Sequence, residues 1–177
     1  SFGRFSCPFC LYVVCLPACF ISFARLGIPP RLNQRHLNNA IVIIPTYNEK
    51  ENITMIIDTV FALPKDFDIL IVDDNSPDGT AEIVKDLQKT YNSDTTTRLH
   101  LLQRPGKQGL GTAYIQGFKH VLQAGYDYVL QMDADFSHNP KDLITLYLNC
   151  SEWGSDLSVG SRYVTGVNVV NWPMGRV

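Results

Sequence analysis

Residues 128–135 read YVLQMDAD, a mostly apolar run that ends in Asp133-Ala134-Asp135. The run predicts a β-strand, and side chains alternate along an extended chain, so Asp133 and Asp135 project to the same side. Two adjacent carboxylates repel each other unless a cation lies between them. Hard divalent ions such as Mg²⁺ take one or two carboxylates and complete their coordination with water and substrate phosphates. The pattern therefore indicates either a metal site for a phosphorylated ligand or an ordinary solvated loop.

Short apolar runs alternate with amphipathic stretches on both sides of this pattern. The first helix is predicted to open at Asn48, with Glu51 as its capping partner, and to reach Phe61. Further helices are predicted after the turn at 76–79, over 113–124 and from 139 to about 149. This alternation predicts an α/β fold, with a mainly parallel sheet and helices on both of its faces. The predicted strands lie at residues 41–44, 69–72, 98–102, 128–132 and 157–159.

Polar clusters follow three of the predicted strands, at residues 45–49 (PTYNE), 73–76 (DDNS) and 133–135 (DAD). Ligands of such sheets bind at the carboxyl ends of the strands, so the three clusters predict one site. The first cluster has no glycine, which excludes a dinucleotide fingerprint, and the chain has no P-loop motif. The glycine-rich stretch 106–111 either brings its backbone and Lys107 to a phosphate or forms a flexible turn.

Residues 1–39 differ from the remainder. They hold four of the five cysteines and no acidic residue, and residues 5–24 are uncharged and mostly apolar. We expect a membrane anchor, a signal-like segment or an artefactual extension, and cysteines that act as small hydrophobic residues rather than as metal ligands. Over the whole chain, 15 basic residues balance 17 acidic ones, which argues against a nucleic-acid binder.

Five motifs carry a resemblance to a known family: VIIPTYNE at 42–49, VDDNSPDG at 72–79, GLGTA at 109–113, MDADFSH at 132–138 and GSRY at 160–163. In this order they resemble family 2 glycosyltransferases of the GT-A fold, and within them the polyprenol-phosphate (dolichol-phosphate) mannose synthases. The resemblance runs from about Ala40 to Val177. It divides the chain into an extension, 1–39, and a catalytic domain, 40–177, which we expect to be incomplete at its C-terminal end.

The resemblance implies an enzyme that moves mannose, with inversion, from GDP-mannose to a polyprenyl (dolichyl) monophosphate and uses Mg²⁺ or Mn²⁺. It places Asp133 and Asp135 at the metal, Arg162 at the donor phosphates as a third catalytic residue, and Arg176 at the acceptor phosphate. It also implies a site at the cytosolic face of a membrane, on a chain that is peripheral or weakly anchored. The implied donor site comprises Pro45, Tyr47, Glu49, Val72, Asp74, Met132, Asp133, Ala134, Asp135 and Arg162.

The motifs leave three alternatives open. One is glucosyl transfer from UDP-glucose to the same lipid phosphate, because nothing in these motifs separates guanine from uracil. Another is a non-catalytic fragment that binds a nucleotide sugar. The last is a phosphatase in which Asp133 is the nucleophile, although such enzymes usually carry their Asp-x-Asp on the first strand, and here three strand–helix units precede it.

Overall fold

A computed structural model describes residues 39–160 and, apart from these, the strand Leu11–Cys15. The predicted site residues Arg162 and Arg176 lie outside the described residues, as does most of the N-terminal segment. The strands are β1 Leu11–Cys15, β2 Ala40–Thr46, β3 Asp68–Asp73, β4 Leu99–Gln103, β5 Tyr128–Gln131 and β6 Leu157–Gly160. The helices are α1 Ile53–Phe61, α2 Thr80–Tyr91, α3 Leu110–Ala124 and α4 Asp142–Ser151.

The six strands form one sheet in the order β4-β3-β2-β5-β1-β6. Strands β4, β3, β2 and β5 are parallel to one another, whereas β1 runs antiparallel to both β5 and β6. From β2 the chain proceeds to β3 and β4 on one side and then returns to β5 on the other. The strand order therefore reverses beside β2, and the ends of β2 and β5 form a switch point of the kind where α/β proteins bind ligands.

Alternating residues of the buried strands pack into two separate cores, one on each face of the sheet. Val42 and Ile44 face helices α1, α2 and α4, whereas Ile41 and Ile43 face α3. All four side chains are almost fully buried, as expected for a strand that is covered on both faces. The predicted α/β fold with a mainly parallel sheet and helices on both faces is confirmed.

Three helix starts differ from the prediction, among them that of α4, which begins at Asp142 rather than at residue 139. Asn48 is not an N-cap; it has a left-handed backbone with a φ of 61°, and α1 begins only at Ile53. The capping-box prediction failed because the backbone N–H of Asn48 donates to Ser76 Oγ, 3.1 Å away in the next strand-end loop. In α3 the helix begins at Leu110 rather than Ala113, so it incorporates the end of the glycine-rich stretch.

Strand β1 is a finding that the sequence patterns did not predict. It lies within the segment 1–39 and separates β5 from β6, pairing with both. None of the helices in the described ranges is long and apolar enough to cross a membrane.

Candidate functional site

A cavity of about 220 Å³ lies at the carboxyl edge of the sheet, at the switch point between β2 and β5. All three predicted strand-end clusters contribute to its wall, together with the start of α3. The lining residues are Pro45, Thr46, Tyr47, Glu49, Asp74, Lys107, Gly109, Leu110, Ala113, Asp133, Ala134 and Asp135. Parallel strands bring these clusters together because their carboxyl ends meet at one edge.

Each of the three strand-end loops contains one non-glycine residue with a left-handed backbone. These are Asn48 after β2, Asn75 after β3 and Phe136 after β5, with φ values of 61°, 57° and 56°. Asparagine tolerates this conformation, but for phenylalanine it is uncommon and costs about 1–3 kcal/mol. The chain therefore turns sharply as it leaves each strand, which keeps the loops close to the cavity.

The side chains of Asp73 and Asp74, which are adjacent in sequence, have different structural roles. Asp73 is fully buried and holds its own turn, since its carboxylate accepts hydrogen bonds from Thr46 Oγ1 at 3.0 Å and from the hydroxyl and backbone N–H of Ser76 at 2.6 and 2.9 Å. Asp74 lines the cavity instead. Of the two acids in the DDNS cluster, only Asp74 lines the cavity.

Arg104 is the buried partner of Asp74. Its Nη1 atom lies 2.7 Å from Asp74 Oδ1, and both side chains are almost completely buried. Its Nη2 atom donates to Thr112 Oγ1 at 2.6 Å and to Gln108 Oε1 at 3.2 Å. One guanidinium therefore joins the end of β3 to the glycine-rich stretch and the first turn of α3.

Asp133 and Asp135 are held by different parts of the chain. Asp133 Oδ1 accepts a hydrogen bond from the hydroxyl of Tyr114 on α3 at 2.9 Å, and Asp135 Oδ1 accepts one from the backbone N–H of Ser137 at 2.9 Å. Burial, together with the charges of Asp133 and Asp135, raises the pKa of Tyr114 far above its ordinary value. The phenol is therefore a protonated donor at any physiological pH.

Lys107 lines the cavity and lies against the loop that follows β2. Its Nζ atom is 4.3 Å from the centre of the Tyr47 ring, a cation–π distance. Both residues line the cavity, and Tyr47 is 37% exposed. The glycine-rich stretch thus places a positive charge beside the site, which agrees with the first of the two interpretations offered for it.

The structure brings together seven of the predicted donor-site residues: Pro45, Tyr47, Glu49, Asp74, Asp133, Ala134 and Asp135. Val72 and Met132 do not line the cavity, because their side chains are buried in the two cores. A contact between these two residues and a ligand would have to come from backbone atoms, and it stays a prediction. The roles of Arg162 and Arg176 also stay predictions.

The sequence patterns missed Arg104 and Tyr114. An isolated arginine after a short strand looks like a surface residue, and a tyrosine on an amphipathic helix looks like a core residue. Their positions in the sequence could have marked them as site residues. Arg104 immediately follows the third parallel strand, and Tyr114 immediately follows the GLGTA motif. Both lie next to the predicted ligand edge, which singles out polar side chains there.

Comparison with known families gives one match that covers most of the chain. Residues 41–177 match the model of Glycosyl transferase family 2. The chain belongs to glycosyltransferase family 2. The predicted family is confirmed, and the phosphatase alternative is set aside.

Two curated relatives of this family 2 chain match most of its length. A polyprenol monophosphomannose synthase of Mycolicibacterium smegmatis is 43% identical over 143 residues, which are 81% of this chain and 52% of the relative. An undecaprenyl-phosphate mannosyltransferase of Micrococcus luteus is 42% identical over 136 residues, which are 77% of this chain and 53% of the relative. The chain spans about half the length of the curated relatives it matches.

Solved structures also resemble this family 2 domain over part of its length. The mannosyltransferase PcManGT from Pyrobaculum calidifontis, in complex with GDP-Man and Mn²⁺, is 27% identical with a TM-score of 0.45, covering 55% of this chain and 27% of that one. Residues 1–349 of TarS from S. aureus are 28% identical with a TM-score of 0.49, covering 64% and 32%.

The residues of this family 2 site fit a divalent cation. Asp133 and Asp135 both line the cavity and offer the carboxylate oxygens that Mg²⁺ and Mn²⁺ prefer. Within the described part of the chain, no set of three or more His, Cys, Asp or Glu side chains could hold a metal. Two carboxylates are the donor set expected where a cation completes its coordination with water and substrate phosphates.

Proposed function

We propose that this chain carries the donor site of a metal-dependent inverting glycosyltransferase that moves mannose from GDP-mannose to a polyprenyl monophosphate. One observation carries the proposal: Asp74, from the end of β3, and Asp133 and Asp135, from the end of β5, line the same cavity at the switch point of the sheet. A nucleoside with hydroxyl and N–H donors needs acceptors at one end of its site. A diphosphate needs positive charge at the other.

Each end of the cavity then has its own task. Asp74, fixed by Arg104, accepts hydrogen bonds from the nucleoside. Asp133 and Asp135 hold Mg²⁺ or Mn²⁺, which, when bound, neutralises the charge that develops on the departing diphosphate. Lys107, beside Tyr47, adds a second positive charge near the donor phosphates. Its position on a glycine-rich stretch lets it approach a ligand closely.

The acceptor proposal rests on the two relatives, whose names specify polyprenol-linked mannosyl transfer. A phosphate monoester is already anionic near neutral pH, so it attacks the sugar without a strong general base. The donor dissolves in water and the acceptor is a membrane lipid. We therefore propose that the chain works at the cytosolic face of a membrane, peripherally or weakly anchored.

The test is a comparison of two donors and two nucleotides. Isothermal titration with Mn²⁺ should show tighter binding of GDP than of UDP, and mannose from GDP-mannose should be transferred to polyprenyl phosphate in detergent. Tighter binding of UDP, with glucose transfer from UDP-glucose, would replace the mannose proposal by the glucosyl alternative. Binding of GDP without transfer, even at high protein concentration, would leave a donor-binding fragment.

A further inference from the structure

The two carboxylates of the Asp-x-Asp pair accept hydrogen bonds from different parts of the chain. Strand β5 ends at Gln131, and the last backbone bond to β2 is that from the N–H of Met132 to the carbonyl of Ile43, at 3.1 Å. Asp133 and Asp135 follow in irregular backbone that includes the left-handed Phe136. The sheet therefore does not by itself fix the direction of these side chains, and tertiary contacts must orient them.

Asp135 is held locally, because the backbone N–H of Ser137, two residues further along, donates to its Oδ1 atom. Asp133 is held from another element. The hydroxyl of Tyr114, nineteen residues earlier in α3, donates to its Oδ1 atom at 2.9 Å. One of the contacts that place Asp133 relative to Asp135 therefore comes from α3.

The ring of Tyr114 is itself fixed. It packs against the core on the α3 face of the sheet, next to buried Ala113. One turn further along α3, Gly117 lets the helix approach the sheet, since a Cβ atom at that position would lie 2.9 Å from Ile43 Cγ2. A hydroxyl on a packed ring, on a helix that lies close to the sheet, is a rigid donor for a carboxylate in a loop.

We propose that Tyr114 is a positioning residue that orients Asp133 for a divalent cation and thereby sets the affinity of the site for that cation. This inference rests on the proposed metal-diphosphate site but not on the identity of the sugar or the acceptor. Partners that hydrogen-bond a metal-ligating side chain typically change metal affinity or activity by about 10–100-fold when they are removed.

The experiment compares Tyr114→Phe with Tyr126→Phe in the full chain. The first substitution keeps the packed ring and removes only the hydroxyl. Tyr126 is a matched control, because its buried hydroxyl donates to Asp68 Oδ2 at 2.7 Å, outside the cavity lining. Free Mn²⁺ is followed by its electron paramagnetic resonance signal at saturating GDP. Y114F should bind Mn²⁺ roughly tenfold more weakly, whereas Y126F should bind it like the wild type.

Two further readouts separate positioning from general structural damage. GDP affinity without metal should be the same in Y114F and the wild type, because Asp74 is untouched. Where the wild type transfers sugar, Y114F should need about tenfold more Mn²⁺ for half-maximal rate and approach the wild-type rate at saturating Mn²⁺. A shift in metal requirement with a preserved maximal rate is not expected from partial unfolding.

The outcomes are distinct. Unchanged Mn²⁺ affinity in Y114F, or an equal loss in Y126F, would overturn the role of Tyr114 and leave the proposed function standing. A wild type that binds Mn²⁺ with GDP but transfers no sugar would contradict the proposed transfer and leave a donor-binding fragment, and the affinity difference between the variants would still decide the role of Tyr114. A wild type that binds no Mn²⁺ would overturn both.

Discussion

The guanidinium of Arg104 lies at the end of β4 with almost no exposure to solvent, and it carries the charge that compensates Asp74. Its Nε atom is buried and has no hydrogen-bond partner, so the side chain retains part of its desolvation cost. An arginine on the surface would keep its guanidinium in water and would not carry this cost. The contacts of Arg104 fix Asp74, Gln108 and Thr112 relative to one another.

Replacing Arg104 by methionine should destabilise the protein by about 3 kcal/mol, because breaking a buried ion pair leaves one charge buried without its partner. The matched control is Lys89→Met. Lys89 forms an ion pair with Asp86 at the same distance, 2.7 Å, but both side chains are largely exposed. Urea unfolding of the two variants measures the difference. A loss in R104M no larger than that in K89M would contradict the structural role of the pair.

At the scale of the element, α3 contacts both Arg104, the partner of Asp74, and Asp133 of the Asp-x-Asp pair. Its first turn contacts Arg104 through Thr112, and its next residues reach Asp133 through Tyr114. The axis of the helix must lie close to the sheet for both contacts to form. Gly117 permits this approach, since the space beside it is filled by Ile43 and Val72.

Gly117→Ala should destabilise the protein by roughly 1 kcal/mol. Overpacking typically costs about 1–3 kcal/mol, and the higher helix propensity of alanine returns about 1 kcal/mol of this. Gly111→Ala in the same helix is the control, because no atom lies within 4 Å of a Cβ placed there. Chemical denaturation should show G111A at least as stable as the wild type. Equal stability of G117A and G111A would show that α3 does not require the close approach.

At the scale of the whole molecule, β1 determines how β6 joins the sheet. Among the described strands, β6 pairs with β1 alone, and its residues Leu157 and Val159 are about half exposed. The opposite face of β6 is anchored to α4, where Asn149 donates to Ser158 Oγ at 3.0 Å. The cavity lies elsewhere, on β2, β3, β5 and α3.

Deletion of residues 1–38 should therefore weaken the protection of β6 from hydrogen exchange without weakening GDP binding. Hydrogen exchange of the amides of 157–160 should accelerate, because the backbone partner of β6 is gone, whereas GDP binding should stay within about twofold of the full chain. Val13→Pro in the full chain should produce the same local loss of protection, since proline cannot donate within a central strand. Unchanged protection of 157–160 in both variants would show that β1 does not hold β6.

Much of this architecture can be predicted from the sequence by elementary rules. Short apolar runs such as residues 41–44 and 69–72 are typical of strands in a sheet that is buried on both faces, and their alternation with amphipathic helices implies parallel order. The polar clusters that follow these strands in the sequence lie at one edge of the sheet, because the carboxyl ends of parallel strands meet there. Seven predicted site residues, Asp133 and Asp135 among them, consequently line one cavity.

The order of the elements from β2 to β6, the family and the edge of the sheet that carries the site therefore follow from local patterns and short motifs. Three features come from the three-dimensional fold: Arg104 is buried beside Asp74, Tyr114 reaches Asp133, and β1 separates β5 from β6. The physical reason is distance along the chain. Contacts between residues that are 19 or 30 positions apart depend on how closely helices approach the sheet and on strand register, which no local pattern specifies.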